Sequence, residues 1–136
     1  MNQSSRDDCA KLLLRLTAGV LMLLHGISKL RHGVGGIVSR VESHHLPGFV
    51  GYLVLVGEVL APILLIIGLY TRPAGLVLAI NMVVAIWLAH TGDITKLNRG
   101  GGWALELQWF YLATGLAIAC LGAGRYSLRR GGGRYD

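Results

Sequence analysis

The chain has 136 residues, of which 53% are hydrophobic and 15% are charged, and its mean hydropathy is +0.55. Because the apolar residues fall in blocks about as long as a bilayer is thick, this composition excludes an ordinary soluble domain. It predicts one integral membrane domain over residues 1–136. The net charge of +6 does not indicate nucleic-acid binding, since the basic residues lie at the ends of apolar blocks and not among aromatic residues. The lipid bilayer is therefore the expected partner.

Four apolar blocks predict an all-α integral membrane protein, a bundle of four transmembrane helices. The blocks cover residues 11–30, 49–70, 73–90 and 103–121. Between the first two, apolar residues recur at positions i, i+3, i+4 and i+7, namely Val34, Ile37, Val38 and Val41. That spacing is typical of a short amphipathic helix, which we expect to lie in the membrane interface. Arg15, one turn inside the first block, is expected to snorkel to the membrane surface.

Four spans would place both ends of the chain on the same side of the membrane. The opposite side would then carry five basic residues. The side of the termini would carry seven, namely Arg6, Lys11, Arg72, Arg125, Arg129, Arg130 and Arg134. Under the positive-inside rule this bias predicts that both termini are cytoplasmic. Arg72 lies in the tight hairpin between the second and third spans, and we assign it a structural role in the topology.

Glu58 is the one charged residue in the second span. A carboxylate at this depth is costly, so it is a functional-site candidate by default. Pro62, four residues later, has no N–H to donate to the carbonyl of Glu58, and this predicts a kink or a loosened helix at the acid. Two explanations stay open: a buried ion pair with Lys29 or His25 that fixes the helix register, or a pocket that binds a ligand or handles protons.

Counting residues from the ends of the spans places further polar side chains in the same half of the membrane as Glu58. The candidate pocket residues are His25, Lys29, Glu58, Asn81, His90 and Glu106. His25 and Lys29 are spaced i, i+4 and share one helix face. Asn81 and His90 lie about 180° apart around their helix, so only one of them is expected to face the pocket. No metal site is predicted, because no HxxxH or equivalent pair fixes a geometry.

A quinone head group suits such a pocket. It needs an apolar slot reachable from lipid, donors for its two carbonyls and a path for protons. His25 and Lys29 could donate, and Glu58 with Glu106 could move protons. The sequence has no CxxCH, no iron–sulfur cysteine set and no dinucleotide glycine fingerprint, so a redox role would need a partner protein. The chain is at most a membrane subunit of an oxidoreductase complex, and no catalytic residue is assigned.

Several short stretches along the chain carry a resemblance to a known family. They are residues 24–30 (LHGISKL), Gly57-Glu58, residues 68–72 (GLYTR), Asn81-Met82, Ala89-His90, Glu106 and residues 122–128 (GAGRYSL). Together they resemble the DoxX family of small four-helix bacterial inner-membrane proteins. The resemblance covers nearly the whole chain in order. The family pattern usually has Gly-Pro-Gly in the last stretch, where this chain has Ala123 between the two glycines.

The resemblance implies a location in the bacterial cytoplasmic (inner) membrane. It carries the family's signature residues over to His25, Lys29, Glu58, Arg72, His90 and Glu106. It further implies a quinone-linked redox accessory subunit that works with a partner protein or as a homo-oligomer. The alternative that the family also implies is a non-enzymatic membrane scaffold or assembly chaperone.

Overall fold

The computed structural model describes residues 2–130 and 132–136. Within them the chain forms five α-helices and a short 3-10 turn, and no strand beyond a single bridge between Leu97 and Trp103. The helices are α1 (Gln3–His32), α2 (Gly35–Ser43), α3 (Phe49–Ile67), α4 (Thr71–Ala89) and α5 (Glu106–Leu121), with the 3-10 turn at Thr91–Asp93. The prediction of an all-α chain is confirmed.

Three of the helices, α1, α3 and α4, are long and apolar enough to cross a membrane. Helix α5 is also apolar but has only 16 residues, which at 1.5 Å per residue is about 24 Å against a hydrocarbon core of about 30 Å. Many large apolar side chains face outwards, such as Leu13 and Phe110, which are 67% and 73% exposed. Such surfaces suit contact with lipid and indicate a membrane protein.

Two helix starts differ from the predicted ones by three residues or more. Helix α1 begins at Gln3, well before residue 11, because the side chain of Asn2 caps it by accepting a hydrogen bond from the backbone N–H of Ser5 at 3.0 Å. Helix α5 begins at Glu106 and not at Trp103. The preceding loop is held in a non-helical form, since the indole N–H of Trp103 donates to the carbonyl of Ile94 at 2.8 Å.

The bundle packs in chain order, α1 on α3, α3 on α4 and α4 on α5, while the contact of α5 with α1 is the sparsest between long helices. Helices α4 and α5 approach closely where Gly75 meets Gly115. A methyl group added to either glycine would lie 2.7 Å from the carbonyl oxygen of the other. Small residues that let backbones meet in this way are typical of transmembrane helix pairs.

The segment after α5 folds back over one end of the bundle and buries Arg15 completely. The guanidinium of Arg15 donates to the carbonyl of Leu65 at 3.4 Å and to the carbonyl of Tyr126. In addition, the N–H of Leu128 donates to the carbonyl of Ile67 at 3.1 Å. The prediction that Arg15 snorkels to the surface is therefore wrong, because a segment distant in sequence covers it.

Arg72 connects separate segments at the same end of the bundle. Its guanidinium donates to the carbonyls of Ala119 at 3.1 Å, Cys120 at 3.0 Å and Asp136 at 3.1 Å. The first two carbonyls belong to the last turn of α5, where a cation also complements the helix dipole. Arg72 thus connects the start of α4 to the end of α5.

Helix α2 covers the opposite end. Its Val41 is fully buried, and Val38 lies against Gly51 of α3. The ring of His44, directly after α2, lies 5.1 Å from that of Trp87 on α4, measured between centroids. The short helix predicted between the first two spans is therefore present, and its place in the membrane interface stays a prediction.

Candidate functional site

A cavity of about 250 Å³ lies between α1, α3, α4 and the start of α5, and we call it the Glu58 cavity. Its apolar walls come from Met22, Met82, Ala85 and Leu107. Its polar lining residues come from α1, α3, α5 and the residue that follows α4: His25, Lys29, Glu58, His90, Gln108 and Tyr111. Four of the six pocket residues chosen from the sequence thus meet around one space.

Glu58 is the most deeply buried of these polar residues, with 2% of its surface exposed. One carboxylate oxygen, Oε1, forms an ion pair with the ammonium group of Lys29, whose side chain is 38% exposed. The other oxygen, Oε2, is buried and has no hydrogen-bond partner among the described residues. Leaving such an atom unpaired costs about 1–3 kcal/mol. The ion pair therefore satisfies only half of the carboxylate.

Helix α1 packs directly onto α3 at the level of Glu58. A methyl group added at Gly26 would overlap the carbonyl oxygen of Glu58 and would lie 2.8 Å from Cγ2 of Val59. Pro62, buried one turn further along, cannot donate a hydrogen bond to that carbonyl. Helix α3 nevertheless continues through Pro62 to Ile67. The close approach at Gly26 places the next helical turn of α1, with Lys29, over the acid.

His25 and Tyr111 lie where α1 meets α5. Their rings are 6.2 Å apart between centroids and nearly perpendicular, with an interplanar angle of 86°. This is the edge-to-face arrangement that aromatic pairs favour. Tyr111 is buried, whereas His25 is exposed. The pair therefore forms the wall of the Glu58 cavity on the α1–α5 side.

His90 connects the Glu58 cavity with the loop that follows α4. Its Nδ1 lies 3.2 Å from Oδ2 of Asp93, while Oδ1 of Asp93 accepts a hydrogen bond from Lys96 at 3.0 Å. The hydrogen bond from Lys96, followed by that from His90, lowers the pKa of the Asp93 carboxyl below its ordinary value. Asp93 thus stays ionised beside His90 and orients its ring.

A second space of about 460 Å³, the polar vestibule, lies beneath α2 and adjoins the Glu58 cavity. Lys29, Ala85 and His90 line both spaces. The vestibule adds further polar side chains, namely Ser28, His32 and Arg40. It therefore gives the Glu58 cavity a polar opening on the side of α2.

Asn81 and Glu106 do not line the Glu58 cavity. Asn81 is buried on the other side of α4, where its side-chain amide faces Gly57 of α3. The angular separation of Asn81 from His90 predicted that only one of them would face the pocket, and in the structure it is His90. Glu106 is exposed in the first turn of α5 and accepts a hydrogen bond from Nδ2 of Asn98 at 3.1 Å, so it fixes the loop before the helix.

Glu106 was expected to line the pocket from α5, and Gln108 and Tyr111 line it instead. Oε1 of Gln108 is a second buried acceptor without a partner in the part of the chain that the structure describes. The sequence reasoning missed both residues. Their spacing to Gly115, at i, i+3 and i+7, is a signal that could have found them, since it places them on the face of α5 that packs on α4.

Comparisons with known proteins show which family the chain belongs to. The sequence model of the DoxX family matches residues 10–91, a range that includes Lys29, Glu58 and His90. A protein of Bacillus subtilis (strain 168) named "Putative oxidoreductase CatD" is 34% identical over 123 residues, which cover 90% of this chain and 85% of that protein. No solved structure matches. The chain belongs to the DoxX family.

Proposed function

We propose that this chain is the membrane subunit of a quinone-linked redox system and binds the ring of a quinone or quinol in the Glu58 cavity. The observation that carries the proposal is the half-satisfied carboxylate of Glu58 in a cavity with apolar walls. A structural ion pair would be expected to satisfy both oxygens, since a buried polar atom without a partner is costly. The word oxidoreductase in the name of the Bacillus subtilis relative supports the same reaction class.

The Glu58 cavity fits a single substituted ring. Its volume of about 250 Å³ lies just below the range of about 300–1,000 Å³ that holds larger small molecules. Met22 and Met82 offer soft apolar contacts to ring faces. The unpartnered acceptors on Glu58 and Gln108 suit the hydroxyl groups of the reduced ring, while Lys29 can donate to a carbonyl of the oxidised ring.

Oxidation of such a ring releases two electrons and two protons. Glu58 is placed to accept the proton of one ring hydroxyl, and Lys29 stabilises its carboxylate until then. The imidazole of His90, which also lines the cavity, is placed to accept the proton of the other hydroxyl. Lys29 and His90 line both the Glu58 cavity and the polar vestibule, so a proton can leave towards α2. The electrons pass to a partner protein, because the sequence has no motif for a redox cofactor of its own.

The proposal includes a place in the bacterial inner membrane with α1, α3, α4 and α5 as four spans. Helix α5 is short, but the stacked rings of Trp103 and Trp109, 5.7 Å apart between centroids, suit an interface anchor at its start. Helix α2 would then lie in the same interface, and both termini would be cytoplasmic.

One observation favours the scaffold function as a second candidate. The loop between α4 and α5 exposes the apolar side chains of Ile94 and Leu97, beside the exposed Trp109. Such a patch could contact a partner protein or a second copy of this chain. A scaffold of this kind would use the loop and would not need a ligand at Glu58.

Extraction of the purified protein with solvent, followed by an assay for co-purifying quinone, separates the two functions. The variants are Glu58→Gln and, as a matched control, Glu106→Gln, which removes a carboxylate outside the Glu58 cavity. We expect the wild type and Glu106→Gln to retain quinone and Glu58→Gln to lose it while eluting as a folded species. If none of the three proteins carries quinone, the proposal fails and the scaffold function is favoured.

A further inference from the structure

A third space, of about 290 Å³, runs between α1 and α5, and we call it the apolar groove. It lies at the sparsest contact between long helices. Its lining is almost entirely apolar, with Leu14 and Leu21 on α1 facing Phe110 on α5. Two threonines, Thr17 on α1 and Thr114 on α5, line it from either side.

The apolar groove and the Glu58 cavity adjoin each other. Leu107 and Tyr111 line both spaces. Leu13 and Phe110, which also line the groove, are strongly exposed, so the groove opens towards the surroundings of the bundle. Taken together, the two spaces suit one molecule with a polar ring and a long apolar chain.

We propose that the apolar groove holds the isoprenoid chain of the ligand whose ring lies in the Glu58 cavity, and that the ring arrives from the bilayer by this route. This inference rests on the proposed function. The chemistry of the inner end argues against a phospholipid as the occupant. The unpartnered atoms there are acceptors, on Glu58 and Gln108, and a phosphate beside them would add negative charge where donors are needed.

The contribution of the groove is a passage and not a gain in hydrophobic energy. A chain that moves from lipid into the groove exchanges one apolar environment for another. The other opening, the polar vestibule with His32 and Arg40, would place the chain among charged groups. An aromatic side chain that fills the groove should therefore hinder a ligand with a chain and spare a ring without one.

The test uses the variants Thr17→Phe and Thr114→Phe in lipid nanodiscs, with Val83→Phe as the control. Val83 is 55% exposed on α4 and lines neither the groove nor the Glu58 cavity. Two labelled probes are compared by their retention on the protein: a methyl-substituted hydroquinone without a chain, and the same ring with an isoprenoid chain. For the probe with a chain we expect both threonine variants to bind about tenfold more weakly, as an overfilled site would. The probe without a chain should bind all proteins equally well.

The outcomes separate the groove from the proposed function. If the ring alone binds and the threonine variants retain the probe with a chain, or lose both probes equally, the groove proposal is overturned while the function stands. If the ring alone does not bind the wild type but the chain-bearing probe does, and the threonine variants lose it, the groove stands and the ring site at Glu58 fails. If neither probe binds the wild type, or if Val83→Phe weakens the chain-bearing probe as much as the threonine variants do, the groove is overturned.

Discussion

Removing the positive charge of Lys29 is the sharpest test of the energetics at the Glu58 cavity. In Lys29→Met the buried carboxylate of Glu58 loses its one ionic partner. Breaking a fully buried ion pair costs about 3–5 kcal/mol, and exposed pairs are worth about 0–1 kcal/mol. Because the Lys29 side chain is 38% exposed, we expect an intermediate loss of about 2 kcal/mol. This corresponds to a fall in Tm of about 4–8 °C for a chain of this size.

The assay is thermal unfolding in detergent, with Lys96→Met as the control. Lys96 pairs with Asp93 in an exposed loop, so its loss should change Tm by no more than about 4 °C. The double variant Lys29→Met/Glu58→Gln removes both charges and should recover at least half of the lost stability. The reasoning is refuted if Lys29→Met behaves like the control, or if the double variant is less stable than the single one.

Three further predictions follow from other parts of the molecule. Gly26→Ala should lower Tm by several degrees, because the added methyl group overlaps the carbonyl oxygen of Glu58. Gly36→Ala, where the added methyl group meets open space, should leave Tm unchanged. Equal effects of the two substitutions would contradict the close packing of α1 on α3. Arg15→Met should detach the segment after α5, measured as faster tryptic cleavage within it, since two carbonyls lose their buried donor; an unchanged rate would oppose this. The pKa of the Asp93 carboxyl is lowered, so its small stabilisation of the folded state is present at neutral pH and is lost as pH falls through that pKa. Asp93→Asn should therefore flatten the acidic part of the curve of Tm against pH. An unchanged curve would show that Asp93 contributes nothing.

The residues of α1, α3 and α4 at the candidate site could be predicted because they depend on local rules. The i, i+4 spacing places His25 and Lys29 on one helix face whatever the helix packs against. Counting residues along the second apolar span placed Glu58 in the same half of the membrane as His25 and Lys29. The same angular rule separated Asn81 from His90 on α4. Each of these inferences needs only the geometry of a single helix.

The contribution of α5 could not be predicted in the same way. Its rotation is set by the contact between Gly75 and Gly115 and by a loop that delays its start to Glu106. Because α5 starts later than predicted and is rotated differently, Gln108 and Tyr111 line the Glu58 cavity in place of Glu106. Such a rotation follows from packing between helices, which no periodicity in one helix reveals.

Arg15 shows the same limit at the other end of the bundle. Its depth in α1 allowed snorkelling, and only the fold of a segment more than a hundred residues later decides that it is buried. The sequence of that segment, with several arginines, gave no sign that it would supply a carbonyl to a buried cation. Long-range coverage of this kind is a tertiary property.

The most direct test of the central claim, that the Glu58 cavity binds a quinone ring, is photolabelling with an azido-substituted quinone. Labelled peptides are mapped by mass spectrometry, with and without an excess of unlabelled quinone. We predict competable labels on Met22, Met82 or Tyr111, which line the Glu58 cavity, and their loss in Glu58→Gln. Labels confined to the cavity between α3 and α4 at Asn81, or labels that excess quinone does not displace, would contradict the account.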